Sequence, residues 1–273
     1  MAAIVDFAME IAREAGEILL ARLGSVPIEY KGMRELVTEA DRESERHLVR
    51  RIRERFPAHA IYAEEGARLP GSEGRWIIDP LDGTTNFVHQ HPMFAVSIGV
   101  ELKGELAVGV VWAPKMQEMF AAESGSGAWL NGQPMATSST KTLAHSLLAT
   151  GFAYDRDETS ENNLGNFSRL LLASRGVRRG GSAALDLAYT AAGRFDGFWE
   201  LWLQPYDVAA GVVLVREAGG RVTDFRGGDD YLFGQNIIAS NGIIHSLVAD
   251  SLDSFQGNLR DSKGDRDAMP DGS

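Results

Sequence analysis

"RWIIDPLDGTTNFVHQHP", residues 75–92, sets an apolar, strand-like run against two acids, Asp79 and Asp82, with a proline and a glycine beside them. Two carboxylates held close together repel each other and cost free energy to desolvate unless a positive charge sits between them. A fold gains nothing from that pairing alone. The strand "WIID" puts Asp79 at its C-terminal end; Pro80 fixes φ and Gly83 relieves crowding, so the chain can turn tightly and set Asp79 beside Asp82. Such convergence suits Mg²⁺, a hard ion that takes oxygen from a few carboxylates and keeps waters for substrate phosphate. Asp82, Gly83, Thr84 and Thr85 then begin a helix whose free N–H groups face outwards, as a phosphate site requires. Taken alone, "DPLDGTTN" reads equally as a turn with a helix cap, since Asp, Pro, Gly, Thr and Asn all favour turns.

Other acids stand at the ends of apolar elements. Glu64 and Glu65 follow "AIYA", Asp41 follows "ELVTEA", and Asp207 opens "YDVAAGVVLV". Each by itself reads as an N-cap or a solvated acid. His89 and His91 are two apart and so point to opposite sides of an extended chain, which argues against a histidine metal site.

Outward from this stretch, apolar spacing gives an amphipathic helix over 4–22 ended by Gly24, and a charged helix from Asp41 to Pro57. "FAVSIGVELKGELAVGVVWAP" reads as a hairpin around Lys103-Gly104, and "MQEMFAAESGSGAWLNGQPM" continues it through Asn131-Gly132. From residue 145 strands alternate with helices: a strand in "HSLLATGF", a helix over 161–175, a short strand "GVRRG", and a helix capped by Ser182 and ended by Gly193. Then come "FDGFWE", the helix closed by Gly219-Gly220, "RVTDF", "NIIAS" and a last helix from 243 to about 253. The expectation is an α+β fold, a layered α-β-α-β-α sandwich: mostly antiparallel sheet in the first half, a smaller mixed sheet with helices in the second. One domain over 1–250 is expected, with halves of about 1–140 and 141–250, followed by a polar, disordered tail over 255–273.

Of 273 residues, 44% are hydrophobic and 24% charged, which permits a sizeable core. A formal net charge of -11 argues against a broad nucleic-acid surface, although it leaves room for a local basic patch. The absence of cysteine removes disulfides, thiolate ligands and cysteine nucleophiles. The N-terminal helix is interrupted by charges and is neither a signal segment nor a membrane span, so a cytoplasmic protein is expected.

Together these stretches resemble the inositol monophosphatase family of Mg²⁺-dependent, lithium-sensitive phosphatases. "WIIDPLDGTTNF" is similar to the family's first signature and "YDVAAGVVLVREAGG" to its second, with "LVTEAD" and the paired glutamates in order upstream. The resemblance covers residues 1 to about 250. It implies a sugar-phosphatase type of sandwich and a phosphomonoesterase acting on inositol 1-phosphate or a related polyol phosphate through about two to three Mg²⁺ ions. It also implies metal ligation by Glu64, Asp79, the Leu81 carbonyl, Asp82 and Asp207, with Asp79 shared between two ions. Thr84, hydrogen-bonded to Asp41, would aim a water at phosphorus, and the N–H groups of Gly83 and Thr84 would hold phosphate oxygens; catalysis is thereby assigned to Asp41, Glu64 and Thr84.

Substrate contacts implied in the same way are Asp82, Glu200, Asp207 and the turn Gly181, Ser182, Ala183, where the family has a Gly-Thr-Ala-like sequence. Glu200 reads alternatively as an exposed acid ending a strand. Two residues depart from the family pattern: Ala63 replaces a usual glycine and Tyr206 a usual tryptophan. Trp202 and Gln204 lie where they could shape the pocket mouth. A homodimer is implied by the resemblance alone. The alternatives are another sugar phosphatase, acting on fructose 1,6-bisphosphate or histidinol phosphate, and a regulatory partner of the transcription antitermination machinery, for which Arg175, Arg178 and Arg179 are the nearest basic patch. The pair Arg178-Arg179, followed by Gly180-Gly181, reads as a contact for anionic substrate or RNA, although such a pair is more often solvated or at a subunit interface.

Overall fold

The structure, a computed structural model, describes residues 2–25, 28–30, 36–154 and 156–253. The expected tail over 255–273 lies outside them. Helix α1 (Ala2–Arg22) precedes strands β1 (Ile28–Tyr30) and β2 (Leu36–Thr38), helix α2 (Glu39–Arg55), β3 (Ala60–Ala63) and β4 (Arg68–Leu69). Strand β5 (Arg75–Asp82) leads into the short helix α3 (Thr84–Val88). An antiparallel run follows: β6 (Ala95–Leu102), β7 (Glu105–Ala113), β8 (Glu118–Glu123), β9 (Gly127–Leu130) and β10 (Gln133–Pro134). The second half contains β11 (Leu147–Thr150), α4 (Leu164–Ala173), β12 (Gly176–Arg178), α5 (Ala183–Ala191) and β13 (Gly197–Leu201). It ends with α6 (Pro205–Glu217), β14 (Arg221–Thr223), β15 (Asn236–Ser240) and α7 (His245–Ala249).

Two sheets result. The larger has eight strands in the order β10-β9-β8-β7-β6-β5-β3-β4, antiparallel except where β3 runs parallel to β5; the smaller has five, β12-β11-β13-β15-β14, and is mixed. At the β6–β7 turn Lys103 and Gly104 both have positive φ, as do Asn131 and Gly132 at the β9–β10 turn, the backbone hand that matches strand twist in a tight hairpin. In α1, Ala8, Ile11, Ala12, Ala15 and Leu19 are fully buried at helical spacing, and they pack with α2 on one face of the large sheet.

The other face of the large sheet and the inner face of the small one share a second core, which holds α5 and α6 between them. Outside the small sheet, Leu170 of α4 and Val248 of α7 pack on Leu148, Trp199 and Ile238. The order of layers is therefore helix, sheet, helix, sheet, helix, as the alternation of elements predicts.

Helix α6 comes unusually close to the large sheet. A Cβ on Gly99 would sit 2.6 Å from the Ala209 Cβ, and one on Gly109 would overlap the Ala210 carbonyl. Glycine at these two strand positions lets the helix backbone settle directly on β6 and β7, fixing where its N-terminus, with Asp207, comes to rest.

Some boundaries differ from the sequence reading. The second helix begins at Glu39 with Thr38 as its N-cap, so Asp41 is the third helical residue in a capping box, not the first. Helix α4 starts only at Leu164 because Asn163 adopts a left-handed conformation and its side chain instead binds the Thr150 hydroxyl and the Gly151 carbonyl. The last helix is shorter than expected, His245–Ala249.

Candidate functional site

Strand β5 does not stop at Asp79. Asp79 pairs with Ser97 and Asp82 with Ala95, three steps on one strand against two on its neighbour. This is a β-bulge, where the sequence suggested a turn. In a regular strand residues three apart face opposite sides; the inserted residue cancels that offset and brings both acids to one side. Proline is tolerated there because the bulge interrupts the ladder that its missing N–H would otherwise break. Asp79 Oδ1 accepts the Leu81 N–H at 2.9 Å, and Gly83, with φ +92°, turns the chain into α3.

Asp41 is fully buried. Its Oδ2 accepts the Thr38 N–H (2.9 Å) and hydroxyl (2.6 Å), while Oδ1 lies 3.1 Å from the Thr84 hydroxyl, which also reaches the Leu81 carbonyl at 3.2 Å. Ser44 of the same helix donates to the Pro80 carbonyl, clamping α2 onto the bulge. Glu45 accepts the N–H groups of Glu65 and Ala67, and the Glu64 N–H donates to the Ile78 carbonyl; together they hold Glu64 alongside the end of β5.

The remaining acids arrive on the second half. Asp207 closes the start of α6 by accepting the Gln204 N–H at 2.7 Å. Ser182, the N-cap of α5, accepts the Leu185 N–H and donates its own hydroxyl to Asp82 Oδ2 at 2.6 Å, which also takes the Ala184 N–H at 2.7 Å. Asp82 is thus the anion at the N-terminus of α5. Glu200, next to last in β13, is buried, its carboxylate so close to Gly151 that a Cβ there would overlap it.

Glu64, Asp79, Leu81, Asp82, Gly83, Thr84, Gly181, Ser182, Ala183, Glu200 and Asp207 all line one cavity of about 950 Å³. Of the sequence-predicted residues only Asp41 stands back, behind Thr84. Glu200 is not the exposed strand-end acid of the alternative reading.

Crowding sets the electrostatics. Burial, then the charges of Glu64, Asp82 and Asp207, push the Asp79 carboxyl well above its usual range. Burial raises Asp82 to about 6 against its bonds from Ser182, Ala184 and Ala183. Asp207 and Glu200 are also pushed well up, in each case by desolvation first and then by a neighbouring acid. Carboxylates at such density call for a cation, and with oxygen as the only donor atom the set suits a hard ion. Among the described residues no three of the acids or histidines are yet grouped closely enough to meet around one ion. Asp82 and Asp207 each have an oxygen engaged with backbone N–H groups, so an ion shared among these acids takes at most one free oxygen from each of the two and completes its shell with carbonyl oxygen and water.

Sequence reasoning missed two members, Asp186 and Tyr154, and left a third, Arg179, between two readings. Arg179, read with Arg178 either as a contact for anionic substrate or RNA or as solvated or interfacial, lines the cavity, and its charge lowers the pKa of Asp82, Asp186 and Glu200. Only tertiary structure decides which of two adjacent exposed arginines borders the cavity, so the sequence left that choice open. Asp186 is buried on α5 with one oxygen lacking a partner among the described residues; an acid inside "AALDLAY" was the overlooked signal. Tyr154, on the loop after β11, also borders the cavity. Trp202 and Gln235 line the mouth with φ of +68° and +58°, which for side chains of this size costs about 1–2 kcal/mol each. The aromatic at 206 stacks on Tyr62 at 6.1 Å, and the Arg68 guanidinium lies over the Tyr62 ring at 3.7 Å.

Comparison with known proteins shows the family. A family model described as "Inositol monophosphatase family" matches residues 1–256. Nus factor SuhB of Pseudomonas aeruginosa is 45% identical over 88% of this chain and 92% of its own length. The inositol-1-monophosphatase of a Synechocystis species is 45% identical over 91% and 88%. The solved structure of the inositol monophosphatase from an Anabaena species superposes with a TM-score of 0.84 at 44% identity, covering 92% of this chain and 95% of that one. With the family model matched over residues 1–256 and the fold shared over most of both chains, this chain belongs to the inositol monophosphatase family.

Proposed function

We propose that this chain is a Mg²⁺-dependent phosphomonoesterase that hydrolyses myo-inositol 1-phosphate or a closely related polyol phosphate to the free alcohol and phosphate. The observation that carries the reading is Asp79, 2% exposed and driven towards protonation by Glu64, Asp82 and Asp207 around it. A fold that keeps four acids so close at neutral pH is built for a cation. Glu64, Asp79 and the Leu81 carbonyl would hold one Mg²⁺, and Asp79, Asp82 and Asp207 a second; bound there, the ions would neutralise phosphate charge, acidify a water and favour departure of the alcohol.

The chain's own groups supply positioning. The Thr84 hydroxyl gives its proton to Asp41 Oδ1 or to the Leu81 carbonyl, so its lone pairs are free to accept a hydrogen bond from a water and aim that water at phosphorus. The N–H groups of Gly83 and Thr84 would steady phosphate oxygens. As the water oxygen bonds to phosphorus the P–O bond to the alcohol breaks, and the alcohol oxygen takes up a proton. Phosphate monoesters hydrolyse so slowly in water that charge neutralisation and alignment must supply most of the acceleration. Glu200 would accept a hydrogen bond from a ring hydroxyl, beside the Gly181–Ala183 turn, and Arg179 adds positive charge to the same wall.

Phosphate release from myo-inositol 1-phosphate, fructose 1,6-bisphosphate and histidinol phosphate, with Mg²⁺ and with or without Li⁺, tests the reading. A preference for the inositol ester, lost on chelation and reduced by millimolar-scale Li⁺, is expected. Equal rates on all three would remove the inositol assignment, and turnover in excess chelator would remove the metal.

A second reading comes from the relative named as a Nus factor: a cytoplasmic partnership with transcription factors, independent of turnover. Arg175, Arg178 and Arg179 are all exposed, and Arg179 also lines the cavity. Capture of such factors by an Asp79→Asn variant as efficiently as by the parent would support it. A homodimer is proposed with either reading, and light scattering after size exclusion would show it.

A further inference from the structure

Strands β13 and β15 end their ladder at the pair Leu201 and Asn236. The next residue on each side, Trp202 and Gln235, takes the left-handed conformation, and the Trp202 N–H closes the pair on the Gln235 carbonyl at 2.5 Å. Glycine would adopt this backbone without strain, yet the position holds the largest side chain available. Packing does not explain the choice, because Trp202 is only half-buried. Its Nε1 donates to the Glu161 carbonyl at 2.9 Å, which pins the indole edge to the loop over 159–161, and both the loop and the indole line the cavity. Two residues back along the same chain is Glu200, the buried carboxylate on that wall.

A fixed aromatic surface beside a buried carboxylate is a chemical pairing with a specific complement. The face of an aromatic ring carries partial negative charge. The C–H groups of a saturated, polyhydroxylated ring carry partial positive charge on one face and present hydroxyls at the rim. Such a ring can rest its C–H face on the indole while Glu200 accepts from a rim hydroxyl; an acyclic or very small alcohol can do only the second. We propose that Trp202 is the specificity-determining residue of the site, selecting phosphate esters of six-membered polyol rings over acyclic ones by stacking. The inference rests on the phosphatase reading for its substrate and goes beyond it in naming the selecting group.

The test compares the parent, Trp202→Gly and Trp202→Phe on myo-inositol 1-phosphate and glycerol 2-phosphate with Mg²⁺. Trp202→Gly relieves the left-handed backbone, so folding is expected to be kept; unfolding curves check it. For this variant KM for the inositol ester should rise about tenfold with kcat changed by less than about threefold, and kcat/KM for glycerol 2-phosphate should stay within about twofold of the parent. Trp202→Phe keeps a ring face and loses the bond to Glu161, so it should retain most of the preference. Equal losses on both esters in Trp202→Gly, or a Trp202→Phe as impaired as Trp202→Gly, would mean that the indole only tethers the loop, and would overturn the proposal. Should the parent release no phosphate from either ester, the phosphatase reading fails separately. Calorimetric titration of the same esters then decides: weaker binding of the inositol ester alone in Trp202→Gly upholds the role of Trp202, and unchanged binding removes it.

Discussion

Ser182 donates its hydroxyl to Asp82 Oδ2 at 2.6 Å across one hundred residues of chain. The bond joins the start of α5 to the end of β5, so one acid both caps a helix of the second half and faces the cavity from the first. Ser182→Ala removes this charge-assisted bond and the N-cap together. A loss of about 1–3 kcal/mol is expected, with weaker apparent affinity for Mg²⁺ because Asp82 is no longer aimed. Denaturant unfolding and a Mg²⁺ titration of activity check both; unchanged stability would mean that the Ala184 N–H suffices for Asp82.

Asp79→Asn separates the roles of charge and fold. Burial and three neighbouring acids raise the Asp79 carboxyl, so an ionised Asp79 works against folding when no cation is present, and the cost is felt as pH rises through its folded pKa. The variant should melt at or above the parent temperature in excess chelator, gain less from added Mg²⁺, and have no measurable turnover. Thermal melts with and without Mg²⁺ read the first two expectations. A variant with parental turnover at saturating Mg²⁺ would remove Asp79 from the site.

Arg179 faces Asp82, Asp186 and Glu200 and lowers the pKa of each. Arg179→Gln should raise KM for a phosphate ester about tenfold, which corresponds to about 1.4 kcal/mol, while kcat falls less. The loss should shrink as salt is added in the parent, since its arginine is open to solvent. A KM that does not move would return Arg179 to the solvated pair of the sequence reading.

The arginines show where sequence stopped being informative. The bulge at Pro80 and Leu81 was legible as a break in the strand because proline and glycine have fixed backbone consequences, yet "turn" and "bulge" share those residues, and only pairing with β6 distinguishes them. Layer order was legible because hydrophobic period survives without tertiary detail; the flush seat of α6 on Gly99 and Gly109 was not, since nothing local marks a glycine as a contact. Asp41 and Thr84 were paired through family resemblance, and their bond joins residues 43 apart in the chain, which no local pattern predicts.

His245 supplies a pH dependence remote from the cavity. Buried between the hydroxyls of Thr223 and Ser240, each at 2.9 Å, it has a pKa drawn down to about 4 by burial. The unfolded chain binds this proton near pH ~6.5, so the stability that neutral His245 contributes is full above that pH and is lost as pH falls through about 4. His245→Gln should lose about 1–2 kcal/mol less than the parent between pH 7 and pH 4.5. Parallel stability curves for the two proteins across that interval would count against a neutral buried imidazole.

Helix α6 has Asp207 in its first turn and apolar residues buried against both sheets along its length. The body of this helix cannot move away unless the middle layer comes apart, so the mount of Asp207 is expected to open only with that layer. Heating should therefore extinguish activity and near-ultraviolet dichroism at one temperature, and the amides of α6 should exchange with solvent only through global opening. In such a protein tolerance of heat and retention of function are the same property, and stabilising the interface between layers is the direct way to prolong catalytic lifetime.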